Sequence, residues 1–177
     1  MGLLPWKKSN SKIVEDLLLA NYDQYYRLAY SYVHNDSDAG DIVQNAAYKA
    51  IKNSKSLKHE SYAATWIYRI VVNEIFNFHR QRKTEPLDSS AETQTEDAYE
   101  DVDLKQALAS LPGEDRMIVE LKYFEELKLE EIAEILNLNV NTVKSRLYRS
   151  LKKLRLMLEE DWMYAESETQ NTAPNFS

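Results

Sequence analysis

Apolar residues recur at helical spacing along most of the chain. Ile13, Leu17, Ala20, Tyr25, Leu28 and Tyr32 fall on one stripe, which predicts a first helix capped by Asn10 or Ser11. Residues 34–40 read as a turn. Ser37 or Asp38 then caps a second helix carrying Ile42, Val43, Ala46, Ala47, Ala50 and Ile51. The polar stretch 52–60 reads as a loop, and a third helix is predicted over 62–82, with Ile67, Ile70, Val71, Ile75 and Phe78 on its core side.

The pattern then stops. Residues 84–100 contain Pro86 and a run of acids but no apolar period, which is the composition of a linker. Periodicity returns with Leu104, Ala107, Leu108 and Leu111, ended by Pro112 and Gly113. A further helix is predicted over 116–123 on Met117, Ile118 and Leu121, followed by two more. The chain therefore divides into a helical domain at 1–83, an acidic linker at 84–100, a second helical domain at 101–160 and a disordered acidic tail at 161–177.

Three glycines and four prolines in 177 residues leave few turn signals for sheets, so the expected fold class is all-α. The absence of cysteine excludes disulfide scaffolds and Cys-based zinc sites. No apolar run approaches the roughly 20 residues of a membrane span. A protein of the cytoplasm, with no direct membrane insertion, is expected.

Charge changes the picture more than composition does. The formal net charge is −7, yet the acids are concentrated in residues 86–115 and 159–177. Residues 49–83 hold Lys49, Lys52, Lys55, Lys58, Arg69, Arg80, Arg82 and Lys83 against only Glu60 and Glu74. Residues 141–155 hold Lys144, Arg146, Arg149, Lys152, Lys153 and Arg155 and no acid. Screening confines exposed charges to about 8–10 Å, so an acidic chain can still present basic patches to nucleic acid.

The most specific local pattern lies at 129–149. Leu129, Ile132, Ala133 and Leu136 make the apolar face of a short helix, and Ala133 is small enough for a second helix to cross closely. Asn137 stands where the turn needs left-handed backbone, and Asn139 is a good N-cap. The next helix keeps Val140, Val143, Leu147, Leu151 and Leu154 inward. Its other face offers Asn141, Lys144, Ser145, Tyr148, Arg149 and Lys152. These are side chains that read base edges and hold phosphates, so the unit is expected to be a helix-turn-helix that binds DNA.

On the third helix Trp66, Arg69, Asn73, Phe76, Asn77 and Arg80 face away from the core side. Interleaved rings and cations can stack bases and hold phosphates of a single strand. Spacing alone leaves a second reading open, in which Trp66 and Phe76 pack internally and Arg69 forms an ion pair.

Three stretches together resemble the small extracytoplasmic-function (ECF) sigma factors of bacterial RNA polymerase. They are Asp38-Ala-Gly-Asp-Ile-Val-Gln44, Thr65-Trp-Ile-Tyr-Arg-Ile-Val-Val-Asn73 with the basic run 80–83, and Leu111-Pro112 onward through residue 155. The resemblance spans about residues 12–158. It implies that Asp38, Asp41, Ile42 and Gln44 bind the clamp helices of core RNA polymerase. It implies that Lys58, Trp66, Arg69, Asn73, Asn77 and Arg80 recognise and melt the minus-ten element. Asn141, Thr142, Lys144, Ser145, Tyr148 and Arg149 would read the minus-thirty-five element of promoter DNA. An anti-sigma factor is an expected partner, and the free protein is expected to be a monomer. Gly40 and Asn45 depart from the acids frequent in the family, and Asn137 and Asn141 from its frequent glycines.

No cofactor, metal or catalytic set is expected. His34, His59 and His79 are not in ligand spacing, and Asp36-Ser-Asp38 lacks the glycine and the closing acid of a calcium loop. Two other function classes compete with the sigma reading. One is a stand-alone helix-turn-helix transcriptional regulator; the other is an interaction protein whose acidic regions bind a basic partner.

Overall fold

The computed structural model describes residues 9–84 and 102–170, with side chains described for 9–82 and 104–159. All regular structure among the described residues is helical, as the apolar spacing predicts. The helices are α1 (Asn10–Ala20), α2 (Tyr22–Val33), α3 (Asp36–Lys52), α4 (Ala63–Thr84), α5 (Val102–Ala109), α6 (Gly113–Tyr123), α7 (Leu129–Leu136) and α8 (Val140–Gln170), with short 3-10 turns at Ser54–Ser56 and Glu60–Tyr62. The chain forms two compact units. Helices α1 to α4 build the first; α5, α6, the start of α7 and α8 build the second. No described helix is long and apolar enough to cross a membrane.

In the first unit the single helix expected over residues 13–32 is two. Asn21 leaves helical geometry at φ −115° and ψ 16°, and both its backbone N–H and its side-chain amide donate to the Leu17 carbonyl at 3.0 Å. A side-chain amide that competes for the helix's own acceptor ends α1 without disturbing the apolar stripe. The N-cap of α1 is Ser9, whose side chain accepts from the Lys12 N–H, rather than Asn10 or Ser11. Asn10 instead donates to the Leu57 carbonyl at 2.8 Å and ties the helix start to the 52–60 segment. That segment is not a plain loop: it folds into the two 3-10 turns and buries Ser54 and Leu57.

Helix α2 ends on His34 in the left-handed region at φ 52°, which leaves Asn35 extended. Asn35, not Ser37 or Asp38, then caps α3 by accepting from the Asp38 N–H at 3.0 Å. Asp36 and Asp38 occupy the first turn, where carboxylates oppose the positive end of the helix dipole. Tyr26 donates to Asp36 at 2.5 Å and joins α2 to α3; this bond raises the Tyr26 pKa to about 12.

Helix α4 packs against α1, α2 and α3, so its buried arc is wider than one stripe. Ile67, Val71 and Ile75 are fully buried as expected, but so are Ala63 and Val72, and Tyr68 is buried as well. Tyr68 meets Tyr25 edge-on with ring centroids 5.0 Å apart. Ile70 and Phe78, expected in the core, are half-buried at its edges.

In the second unit α6 begins at Gly113, three residues before the expected start. Pro112 presets its own φ at −53° ahead of the first turn, and the Arg116 N–H donates to the Pro112 carbonyl at 2.9 Å. One turn further on, Arg116 Nε donates to Glu120 Oε1 at 2.7 Å, a largely buried pair that compensates Glu120's burial. Helix α7 starts with Glu131 accepting from the Lys128 N–H at 2.8 Å.

The turn between α7 and α8 follows the sequence expectation. Asn137 sits at φ 54°, and Asn139 Oδ1 accepts from the Asn141 N–H at 2.8 Å. Asn137→Gly should leave thermal stability nearly unchanged, whereas Asn137→Ala should cost about 1 kcal/mol, because Ala resists left-handed backbone. Chemical unfolding of the two variants checks this. Asn139→Ala should cost a further ~1 kcal/mol by removing the cap. Val143, Leu147 and Leu154 are buried, and Val140 and Leu151 are half-buried. The backbone of α8 runs to Gln170, ten residues into the stretch expected as a disordered tail. Thr84, read as the first linker residue, ends α4; the rest of the linker and residues 171–177 lie outside the described residues.

Candidate nucleic-acid and polymerase interface

Three surfaces collect the residues singled out by sequence. The first is the outward face of α8. Asn141, Lys144, Ser145, Tyr148, Arg149 and Lys152 are exposed and Thr142 is half-buried. Tyr148 is 72% exposed, far more than an aromatic side chain that serves the core. The Ser145 hydroxyl donates to the Thr142 carbonyl at 3.0 Å, leaving its oxygen able to accept.

The six cations of residues 141–155 do not share one role. Arg146 turns inward and pairs with Glu114 and with Asp115 at 3.7 Å, at the start of α6. Lys153 donates to the Ser110 carbonyl at 3.2 Å, and Arg155 pairs with Glu159 one turn on at 2.7 Å. Lys144, Arg149 and Lys152 form no ion pair among the described residues. The cations that remain available are therefore those on the face with Tyr148 and Asn141.

The second surface is a hollow of about 530 Å³ between α3, the first 3-10 turn and α4. Trp66, Ile70 and Phe76 supply its apolar wall; Lys49, Asn53, Ser56, Asn73, Glu74, Asn77 and Arg80 supply polar groups. Trp66 and Phe76 are only half-buried, so the rings are reachable from solvent. Arg69 is exposed and has no ion pair among the described residues, so the internal pair left open by spacing is not formed. Lys58 is exposed on the segment joining the two 3-10 turns, but it does not line the hollow.

Sequence reasoning missed Lys49 and Glu74 here. Lys49 Nζ donates to Glu74 Oε1 at 2.5 Å, Asn77 Nδ2 donates to the same oxygen at 3.4 Å, and Arg80 Nη2 donates to Asn77 Oδ1 at 2.7 Å. The spacing of 74, 77 and 80 along one helix is visible in the sequence; the partner on α3 is not.

The third surface is the exposed side of α3. Asp41 and Gln44 point to solvent, and Asp38 is half-buried with Arg82 3.5 Å away. Ile42, which the resemblance also assigns to the polymerase-binding segment, is 2% exposed and packs into the core with the apolar stripe of its helix. The large apolar groups that α3 does expose are Ile51 and Tyr48; Tyr48 is 64% accessible, with Lys52 Nζ 5.5 Å from its ring centroid.

Comparison with known proteins agrees with the arrangement in two units. Residues 17–85 match the model of sigma-70 region 2, and residues 101–154 match that of sigma-70 region 4. The RNA polymerase sigma factor SigV of Bacillus subtilis is 40% identical over 161 residues, covering 88% of this chain and 97% of that protein. The ECF RNA polymerase sigma factor SigW of the same organism is 32% identical over 174 residues, covering 87% and 93%. Among solved structures, the sigma factor RpoE bound to the anti-sigma factor NepR from Bartonella quintana shares the fold with a TM-score of 0.67 at 24% identity, covering 82% of this chain and 96% of that one. CnrH in complex with the cytosolic domain of CnrY gives 0.64 at 16% identity, covering 87% and 99%. The chain belongs to the ECF sigma factors of bacterial RNA polymerase, which give transcription its promoter specificity.

Proposed function

We propose that this sigma factor binds core RNA polymerase through the exposed side of α3, reads a minus-thirty-five element with α8, and opens DNA at a minus-ten element over the α4 hollow. The observation that carries this reading is the sorting of charge on α8. Arg146, Lys153 and Arg155 are tied to the protein, while Lys144 and Arg149 are left on the exposed face with Asn141 and Tyr148. Lys and Arg pair with guanine edges or phosphates, Asn reads adenine, and the Tyr ring packs on thymine methyls.

In this division of labour residues 1–83 carry polymerase binding and melting, residues 101–160 carry upstream recognition, and 84–100 is the acidic tether. Asp41 and Gln44, with Tyr48 beside them, would meet the polymerase clamp helices, and Asp38 would hold the start of α3 through Arg82. Over the hollow, Trp66 and Phe76 stack unpaired bases while Arg69 and Arg80 hold the strand. Taking a base out of the duplex costs a few kcal/mol, which stacking and hydrogen bonds at Asn73 offset.

The protein has no chemistry of its own in this account; RNA synthesis belongs to core polymerase. It acts in the cytoplasm and is monomeric when free; it is held in check by an anti-sigma factor, a reading supported by the structural neighbour RpoE in complex with the anti-sigma factor NepR. Reconstitution with core polymerase tests the reading. Asp41→Ala with Gln44→Ala should weaken assembly of the one-to-one complex by about tenfold, read by fluorescence anisotropy, with DNA-independent folding intact. Unchanged assembly would remove α3 from the interface.

A further inference from the structure

We infer that Glu74 is a positioning residue that makes the α4 hollow select a nucleobase rather than a phosphate. The inference rests on the proposed binding of the melted strand at that hollow. On charge grounds a carboxylate is out of place there: residues 49–83 carry eight cations, and Glu74 is one of only two acids among them. Its side chain is 11% exposed and lies against Lys49, which reaches across from α3.

The geometry gives the carboxylate two effects. First, it cancels the charge of Lys49. A lysine that neutralises a DNA phosphate releases condensed counterions and adds affinity regardless of sequence. Lys49, held 2.5 Å from Glu74, is withdrawn from that role, so the wall it forms does not attract backbone. What this wall leaves for binding is stacking on Trp66 and Phe76 and hydrogen bonding, both of which address the base.

Second, Glu74 fixes the direction of Asn77. The Asn77 amide nitrogen donates to Glu74, and its oxygen accepts from Arg80. A free amide can turn over and satisfy a donor or an acceptor on a base. An amide held at both ends presents one pattern, with one N–H and one lone pair still available, and so discriminates. Lys49, Glu74, Asn77 and Arg80 thus form a relay across the hollow in which the acid sets the orientation of the rest.

The test uses holoenzyme and fork-junction DNA carrying the non-template strand of a promoter mapped by run-off transcription, with all four bases at each minus-ten position. Affinity is measured across salt concentration. Glu74→Gln should steepen the slope of log affinity against log salt by about 0.7, the value of one single-strand phosphate contact. It should also narrow the spread between the best and worst base by about tenfold, the scale of one lost bidentate contact. Lys49→Met combined with Glu74→Gln should return the slope to wild type.

The charge-swapped pair, Lys49→Glu with Glu74→Lys, keeps the ion pair and therefore the slope. It places a donor against Asn77, so the base preference should change; it also covers the case in which Glu74→Gln does not fold. An unchanged slope and spread in Glu74→Gln, a steep slope that persists in the double variant, or an unchanged preference in the swapped pair overturns the inference. Asn73→Ala and Trp66→Ala separate it from the underlying reading. If neither weakens binding of the same probe, the strand does not lie on the hollow and the minus-ten assignment fails. If they weaken it while Glu74→Gln changes nothing, only the role of Glu74 falls.

Discussion

Replacing Lys144 and Arg149 together by alanine is expected to lower holoenzyme occupancy of the upstream promoter element by about 100-fold or more. Each well-placed base contact is worth roughly 1–3 kcal/mol of discrimination, and two side chains on one exposed helix face are lost together. The effect should be specific to the upstream half of the footprint, because α8 folds without these cations. Val143, Leu147 and Leu154 hold it inward, and Arg146 ties it to the start of α6. Arg146→Ala is the informative contrast: it removes that tie and should lower thermal stability before it alters sequence preference. A footprint and base preference unchanged in the Lys144, Arg149 double variant would remove α8 from upstream recognition. Unchanged complex formation as well would favour a protein-binding role for the acidic regions.

Asn73→Ala is expected to separate opening from binding. Asn73 is exposed on α4 at the lip of the hollow, beside Trp66 and Phe76. It contributes nothing to the core, so the folded unit and the α3 face should be unaffected. The closed complex, held by α8 and by core polymerase, should form nearly as well as in wild type. The fraction of open promoter should fall by about tenfold, the order of one lost hydrogen-bonded base contact. Permanganate reactivity of unpaired thymines reads opening directly, and a gel shift at low temperature reads closed-complex binding. Equal melting defects in Asn73→Ala and Arg149→Ala would contradict the separation of roles between the two units.

The helices and the α8 face were legible in the sequence because both depend on local spacing. The stripe from Val140 to Leu154, the left-handed Asn137 and the Asn139 cap involve neighbours within a turn, and the pattern of residue types carries them. The break at Asn21 was hidden for the same reason: a hydrogen bond from one amide side chain ends α1 without disturbing the apolar period. For Ile42 the apolar period and the family motif point different ways, because a motif marks a segment, not the direction of each side chain in it. Helical spacing puts Ile42 beside Val43 and Ala46 on the buried face, while Asp41 and Gln44 face out.

Long-range pairs were the least legible. The pairing of Lys49 with Glu74 spans two helices, as does that of Arg146 with Glu114. A count of cations along 141–155 treats six as equivalent, although three are tied to the protein. Only Arg155, with Glu159 four residues on, could have been sorted from spacing alone. The charge pattern thus located both basic surfaces but not which charges on them are available.

The most direct test of the account is binding and run-off transcription with purified core polymerase over a fragmented genomic library of the source organism. The account predicts a one-to-one complex that starts transcripts downstream of a recurring motif with two elements, one for each helical unit. It is contradicted if the protein fails to bind active core polymerase with no anti-sigma factor present, or binds it and starts no transcripts.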